Sequence, residues 1–224
     1  MTAAHGSGDD PSRGPERTIG FERAVFFSDA VFAIAVTLLV VDLRLPEAAE
    51  GSASDITAQL GEMVPRFLAF GISFAVIGTF WMAHWRRYSY VLRVDERLLW
   101  LNLLLLACVA LMPFPTAVIA EHGDEPGAVM LYVAVVVAAS AASTLSWAYA
   151  ARAGLLLPGM SRRYLRLSVL RGLMVAIVMI ATLPLLAVDA NLTELSWLLI
   201  IPAQVAVTRR LARVRSEDGI PVPT

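Results

Sequence analysis

Apolar residues fall into six runs separated by short polar connections. The runs cover roughly Glu22 to Leu43, Ile56 to Arg86, Leu98 to Val118, Gly127 to Ala151, Leu165 to Val188 and Leu195 to Val207. A bilayer core about 30 Å thick needs roughly 20 apolar residues per helix. The pattern therefore predicts an all-α, polytopic membrane protein with six transmembrane helices. The second run is longer than a bilayer requires, so it tilts or projects into water. The sixth is short. Residues 1–20, rich in Gly, Ser, Pro, Asp and Arg, read as a disordered cytoplasmic tail. Residues 21–210 then form one six-helix domain, and 211–224 a cytoplasmic C-terminal tail. No internal repeat is visible, and the connections leave no room for a soluble catalytic domain.

Composition agrees. The 224-residue chain is 58% hydrophobic and 17% charged, with a mean hydropathy of +0.67, against about 45–50% apolar and 25% charged in soluble domains. A net charge of −1 excludes a basic nucleic-acid binder. Cys108 is the single cysteine and reads as a small buried hydrophobe. Small residues at Ala48, Ala49 and Gly51 suggest a cleaved signal peptide, but the first run is long and carries Asp29.

Charge changes the picture more. All 18 basic residues are arginine, and sixteen fall in alternate connections and at the two ends. Only Arg44 and Arg66 belong to the opposite side. The positive-inside rule puts both termini in the cytoplasm, in the plasma (inner) membrane if the source is bacterial. The opposite loops are acidic (Glu47, Glu50, Asp55, Glu121, Asp124, Glu125, Asp189, Glu194). They are ordinary solvated loop ends or an outer vestibule that concentrates cations.

The first run carries the candidate chemistry. Asp29 lies one or two turns into a membrane helix, where an ionisable group costs about 2.5–3.5 kcal/mol at the centre. It either caps the helix start with Ser28 or takes a partner from another span. Ile34, Thr37, Leu38 and Val41 share one helical face. That face is a packing stripe or, in an oligomer, the lining of a central path with a dewetting constriction. In the second run, Trp81 and His84 are an interface belt with snorkelling arginines, or His84 bonds Asp29 or Ser28. Asn102 in the third reads as interhelical glue. Pro113 and Pro115 break that helix. Small residues from Ala138 to Ser143 form a packing face. Gln204 and Pro184 read as structural. No carbonyl filter, P-loop, zinc motif or nucleophile elbow appears, so the chain reads as no enzyme and calls for no cofactor.

Arg23-x-x-x-Phe27-Ser28-Asp29 and the run through Thr37 resemble the transmembrane protein 175 family of cation channels. Phe80-Trp81-x-x-His84, Asn102 and Pro113-Phe114-Pro115-Thr116 continue the likeness over about the first half of the chain. The resemblance implies a homotetramer in the lipid bilayer, a potassium-permeable leak channel without a carbonyl filter, and a pore lined by the first helix. It implies Ile34 as the narrowest apolar ring, Leu38 and Val41 as further rings, and Thr37 at the selectivity layer. Arg23, Phe27, Ser28, Asp29, Trp81, His84 and Asn102 would hold that helix. No metal is implied beyond permeating potassium. Val41 is smaller than the leucine the family pattern would place there. The competing expectation is a proton-linked secondary carrier using Asp29 and His84, although carriers usually show repeats and broken midplane helices.

Overall fold

The computed structural model describes residues 13–45 and 56–220, and the first twelve residues lie outside it. The chain is all-helical: α1 (Arg13–Leu38), α2 (Ile56–Glu62), α3 (Val64–Tyr88), α4 (Glu96–Leu111), α5 (Pro113–His122), α6 (Pro126–Arg152), α7 (Arg162–Thr182), α8 (Ala190–Ser196) and α9 (Ile200–Glu217). Short 3-10 segments extend α1 through Leu39–Asp42 and α7 through Leu183–Ala187, and a third, Trp197–Leu199, joins α8 to α9. Among the described residues, five segments are long and apolar enough to cross a bilayer: Gly20–Asp42, Val64–Tyr88, Glu96–His122, Pro126–Arg152 and Arg162–Ala187. The sixth run is assembled from α8, the 3-10 turn and α9 rather than one apolar helix.

Local chemistry places the helix ends. The Asp95 carboxylate caps α4 by accepting from the Leu98 N–H at 2.8 Å, and the Ser161 hydroxyl caps α7 by accepting from the Tyr164 N–H at 3.1 Å. Pro113 divides the third run, as its sequence predicts. Proline has no N–H for the Val109 carbonyl, and the Met112 N–H takes it at 3.1 Å. Pro65 does the same to the second run. It lies in the first turn of α3, the position that tolerates proline, so α2 is a separate piece. The long tilted span expected over Ile56 to Arg86 is therefore two helices.

Helices also enter both stretches read as tails. α1 begins at Arg13, inside the stretch assigned to the N-terminal tail, because an established helix extends at little cost. At the other end α9 continues to Glu217, with Leu211, Val214 and Ile220 buried among Tyr90, Trp147 and Tyr164. The 3.6-residue period of these apolar positions continues beyond residue 210, although arginines mask it in a hydropathy average.

α6 is the central helix, flanked by α4 and α7. Ala139, Ser140, Ala142 and Ser143 are all buried there, so the small-residue stripe is a packing face. The main core joins Phe32 and Ala35 of α1, and Leu39 of its 3-10 extension, to Ile77 and Phe80 of α3, Val109 of α4, Val136 of α6 and Met179 of α7. Tyr132 of α6 stacks on Trp197 with ring centres 5.1 Å apart.

Asp95 gives a pH prediction. Burial opposes its charge, but hydrogen bonds from the Tyr149 hydroxyl at 2.5 Å and the Leu98 N–H, with the Arg97 charge, hold its carboxyl below the usual carboxylate range. A depressed acid stabilises the fold above its unfolded value, about 3.9. That contribution disappears as pH falls through the lower folded value. Asn can still cap the helix, so Asp95→Asn isolates the charge. Melting curves of the two proteins should differ at neutral pH and converge in acid; a constant gap would refute the assignment.

Candidate functional site

α1 has two unlike faces. On one, Ser28, Phe32, Ala35 and Leu39 are buried at spacings of four, three and four residues, the period of one helix face. On the other, Ile34 is 59% exposed, Leu38 44% and Val41 49%. Thr37 is exposed on the same side. Within one subunit the described residues leave this apolar face uncovered. Val41 stands in the 3-10 extension, not in α1 proper.

The buried face is tied to α3 and α4 by a directional chain of hydrogen bonds. The Ser28 hydroxyl donates to the Ala24 carbonyl at 2.8 Å, which leaves its oxygen to accept from Asn102 Nδ2 at 2.9 Å. With its amide nitrogen so engaged, Asn102 presents Oδ1 to His84 Nε2 at 3.0 Å. This order assigns the Nε2–H tautomer to His84. Ser28, His84 and Asn102 are all buried. His84 also stacks on Tyr88, with ring centres 4.1 Å apart. Asp29 is held separately: its Oδ1 accepts from the Trp81 indole N–H at 2.9 Å.

Asp29 thus takes its partner from another span, but that partner is Trp81. His84 reaches Ser28 only through Asn102, not directly as the sequence suggested, because Asn102 lies between them. Trp81 faces α1 rather than serving only as an interface belt. Arg23 and Phe27 are exposed; they start the open face and take no part in this chain of bonds. The Thr37 hydroxyl donates to the Ile34 carbonyl at 2.9 Å. It is therefore tied to the backbone beside Ile34. Beyond α1, the Arg66 guanidinium donates to the Arg44 carbonyl at 3.0 Å, fastening the end of the first span to α3.

Sequence reasoning missed Arg87. Its Nη1 donates to the Ser143 carbonyl at 2.8 Å and hydroxyl at 2.6 Å, and its Nη2 donates to the Ser168 carbonyl at 3.1 Å. A signal was available. Ser73, Ile77, Phe80, His84 and Arg87 continue one buried stripe at alternating spacings of four and three. Of the adjacent pair Arg86-Arg87, only Arg86 lies off that stripe and is free to snorkel.

Asn102→Leu tests the bonded chain. It strands the His84 Nε2–H and removes a donor from Ser28, each buried. The expected loss is about 1–3 kcal/mol, the cost of an unsatisfied buried group. An unchanged melting temperature would show that the chain contributes nothing.

The family model described as the endosomal/lysosomal potassium channel TMEM175 matches residues 23–113, which take in α1 from Arg23 onward and the whole of α3 and α4. A potassium channel of Streptomyces collinus is 41% identical over 136 residues, 59% of this chain and 65% of the relative. The chain thus spans just under two thirds of that relative's length. A potassium channel of Chamaesiphon minutus is 37% identical over 141 residues, 62% of this chain and 70% of the relative. The bovine endosomal/lysosomal proton channel TMEM175 is 34% identical over 136 residues, 28% of its length. Among solved structures, a lysosomal potassium-selective channel TMEM175 homolog from Chamaesiphon minutus superposes with a TM-score of 0.72 at 28% identity. That superposition covers 84% of this chain and 98% of the other. Five apolar spans among the described residues, the family match over residues 23–113, the 37% identity covering 70% of the Chamaesiphon minutus relative and this shared fold lead to one conclusion: the chain is a multi-pass membrane protein of the TMEM175 family.

Proposed function

We propose that the protein is a potassium-permeable leak channel of modest selectivity, assembled as a homotetramer around four copies of α1. One observation supports this above the others: α1 is bonded on one side to α3 and α4, while its Ile34, Leu38 and Val41 side is uncovered. A single helix offers one stripe, so a pore needs several copies, which cyclic symmetry supplies. Ile34 then forms the narrowest ring, Leu38 and Val41 form rings toward the outside, and Thr37 lies at the selectivity layer. An apolar ring cannot replace an ion's hydration shell. It passes ions when wet and blocks them when dry, favouring the cation that loses water more cheaply. Asp29, Trp81, Ser28, Asn102 and His84 act as positioning residues that fix the rotation of α1. The sixth run crosses the bilayer, and both ends face the cytoplasm across the bacterial inner membrane.

The test is flux from liposomes loaded with potassium, read by proton uptake through a protonophore, with valinomycin as control. Efflux larger for potassium than for sodium, without an imposed proton gradient, supports the channel. Flux that requires a proton gradient would replace it with a carrier.

A further inference from the structure

Four arginines from α3, α7 and α9 converge at the arginine-rich end of the bundle. Arg86, Arg87, Arg171 and Arg215 line one cavity of about 670 Å³, shared with Trp147 and Tyr164. Arg87 is buried and bonds only neutral oxygens of Ser143 and Ser168. The buried Arg171 Nε and Trp147 Nε1 have no hydrogen-bond partner. Among the described residues, no carboxylate lies within ion-pair distance of these four guanidinium groups. Nearby acidic side chains are engaged elsewhere. Glu217 pairs with Arg163 at 2.8 Å, Asp218 accepts from Ser161, and Asp95 accepts from Tyr149.

Like charges gathered at a partly dry site repel one another unless an anion joins them. Arginine forks match phosphate oxygens with paired N–H bonds, and basic pockets between membrane helices are suited to anionic headgroups. The apolar wall formed by Met82 and Ala83, with the exposed Trp85 beside it, suits the glycerol and first methylenes of a lipid. We propose that this cavity binds a phosphate-bearing anion, either the headgroup of an anionic phospholipid or a phosphate from solution. The site lies away from the open face of α1 and does not rest on the permeation reading.

Native mass spectrometry of the full-length protein in detergent tests it, with phosphatidylglycerol, phosphatidylcholine and inorganic phosphate as probes. Binding of phosphatidylglycerol or phosphate should weaken about fivefold for each arginine removed, in Arg171→Gln and Arg215→Gln. Arg210→Gln, in a separate basic groove, should leave it unchanged. Arg215 lies near the end of α9, so its variant carries the test if Arg171→Gln does not fold. Phosphatidylglycerol binding that phosphate fails to displace identifies a lipid, and phosphate bound alone identifies a soluble anion. Equal binding of phosphatidylglycerol and phosphatidylcholine without phosphate binding, or equal weakening by all three variants, would overturn the proposal.

Discussion

Ile34→Asn is expected to raise potassium flux in liposomes about tenfold, equivalent to removing about 1.4 kcal/mol of barrier, and to move the potassium/sodium ratio toward one. The reason lies in the two faces of α1. Ile34 contributes nothing to the core of its own subunit, so an amide there should leave the melting temperature near that of the parent protein. If the residue instead lines the proposed pore, the amide keeps water in the constriction that the Ile ring would expel. Thr37→Ala is expected to change the ion ratio more than the conductance, because Thr37 supplies a hydroxyl beside the ring and its bond to Ile34 anchors it there. Flux and ratio both unchanged in both variants would remove this face from the permeation path. A large fall in stability would show that the face packs against something else.

Gly172→Ala is expected to lower stability by about 3 kcal/mol, through overpacking and lost buried hydrogen bonds. For a chain of this size that is a melting shift of about 6–12 °C. A Cβ on Gly172 would lie 2.2 Å from Arg87 Nη2 and 2.8 Å from Thr144 Oγ1. The end of an arginine is usually free to move aside, but this one is fastened to Ser143 and Ser168. Yielding to the methyl group would break those bonds and strand a buried charge. Gly71→Ala is the control. It makes the same chemical change within a membrane helix, and nothing lies within 4 Å of its new Cβ. Alanine favours a helix over glycine by about 1 kcal/mol, so Gly71→Ala should be neutral or stabilising. Equal effects of the two substitutions would rule out the Arg87 contact as the cause.

Much of the architecture was legible because hydropathy and helical period are local properties. The apolar runs, the break at Pro113, the small-residue face of α6 and the stripe from Ile34 to Val41 all follow from residue order. Each depends on neighbours within a few turns. Pro65 was equally legible, and its effect on the second run follows from the same missing N–H. The continuation of α9 beyond residue 210 was less visible, because arginines on one side of a helix hide the apolar residues on the other.

The pairings between helices were beyond the sequence. Asp29, Ser28, Trp81, His84 and Asn102 were all identifiable as polar groups needing partners in an apolar setting, since a lone one is costly there. Their order of connection was not. Whether Asp29 meets His84 or Trp81 depends on the rotation and axial offset of α1 against α3. Those are set by the packing of Phe32, Ala35 and Leu39 against residues far away in the chain. Arg87 follows the same logic. Its place on the buried stripe was readable, but its hydrogen-bond partners come from α6 and α7, and Gly172 provides the space. Sequence alone therefore determined the apolar runs, their polar content and the existence of the α1 stripe, because these are one-dimensional patterns. Only the tertiary structure decided which polar groups meet and which face stays open, because those follow from the joint packing of several helices.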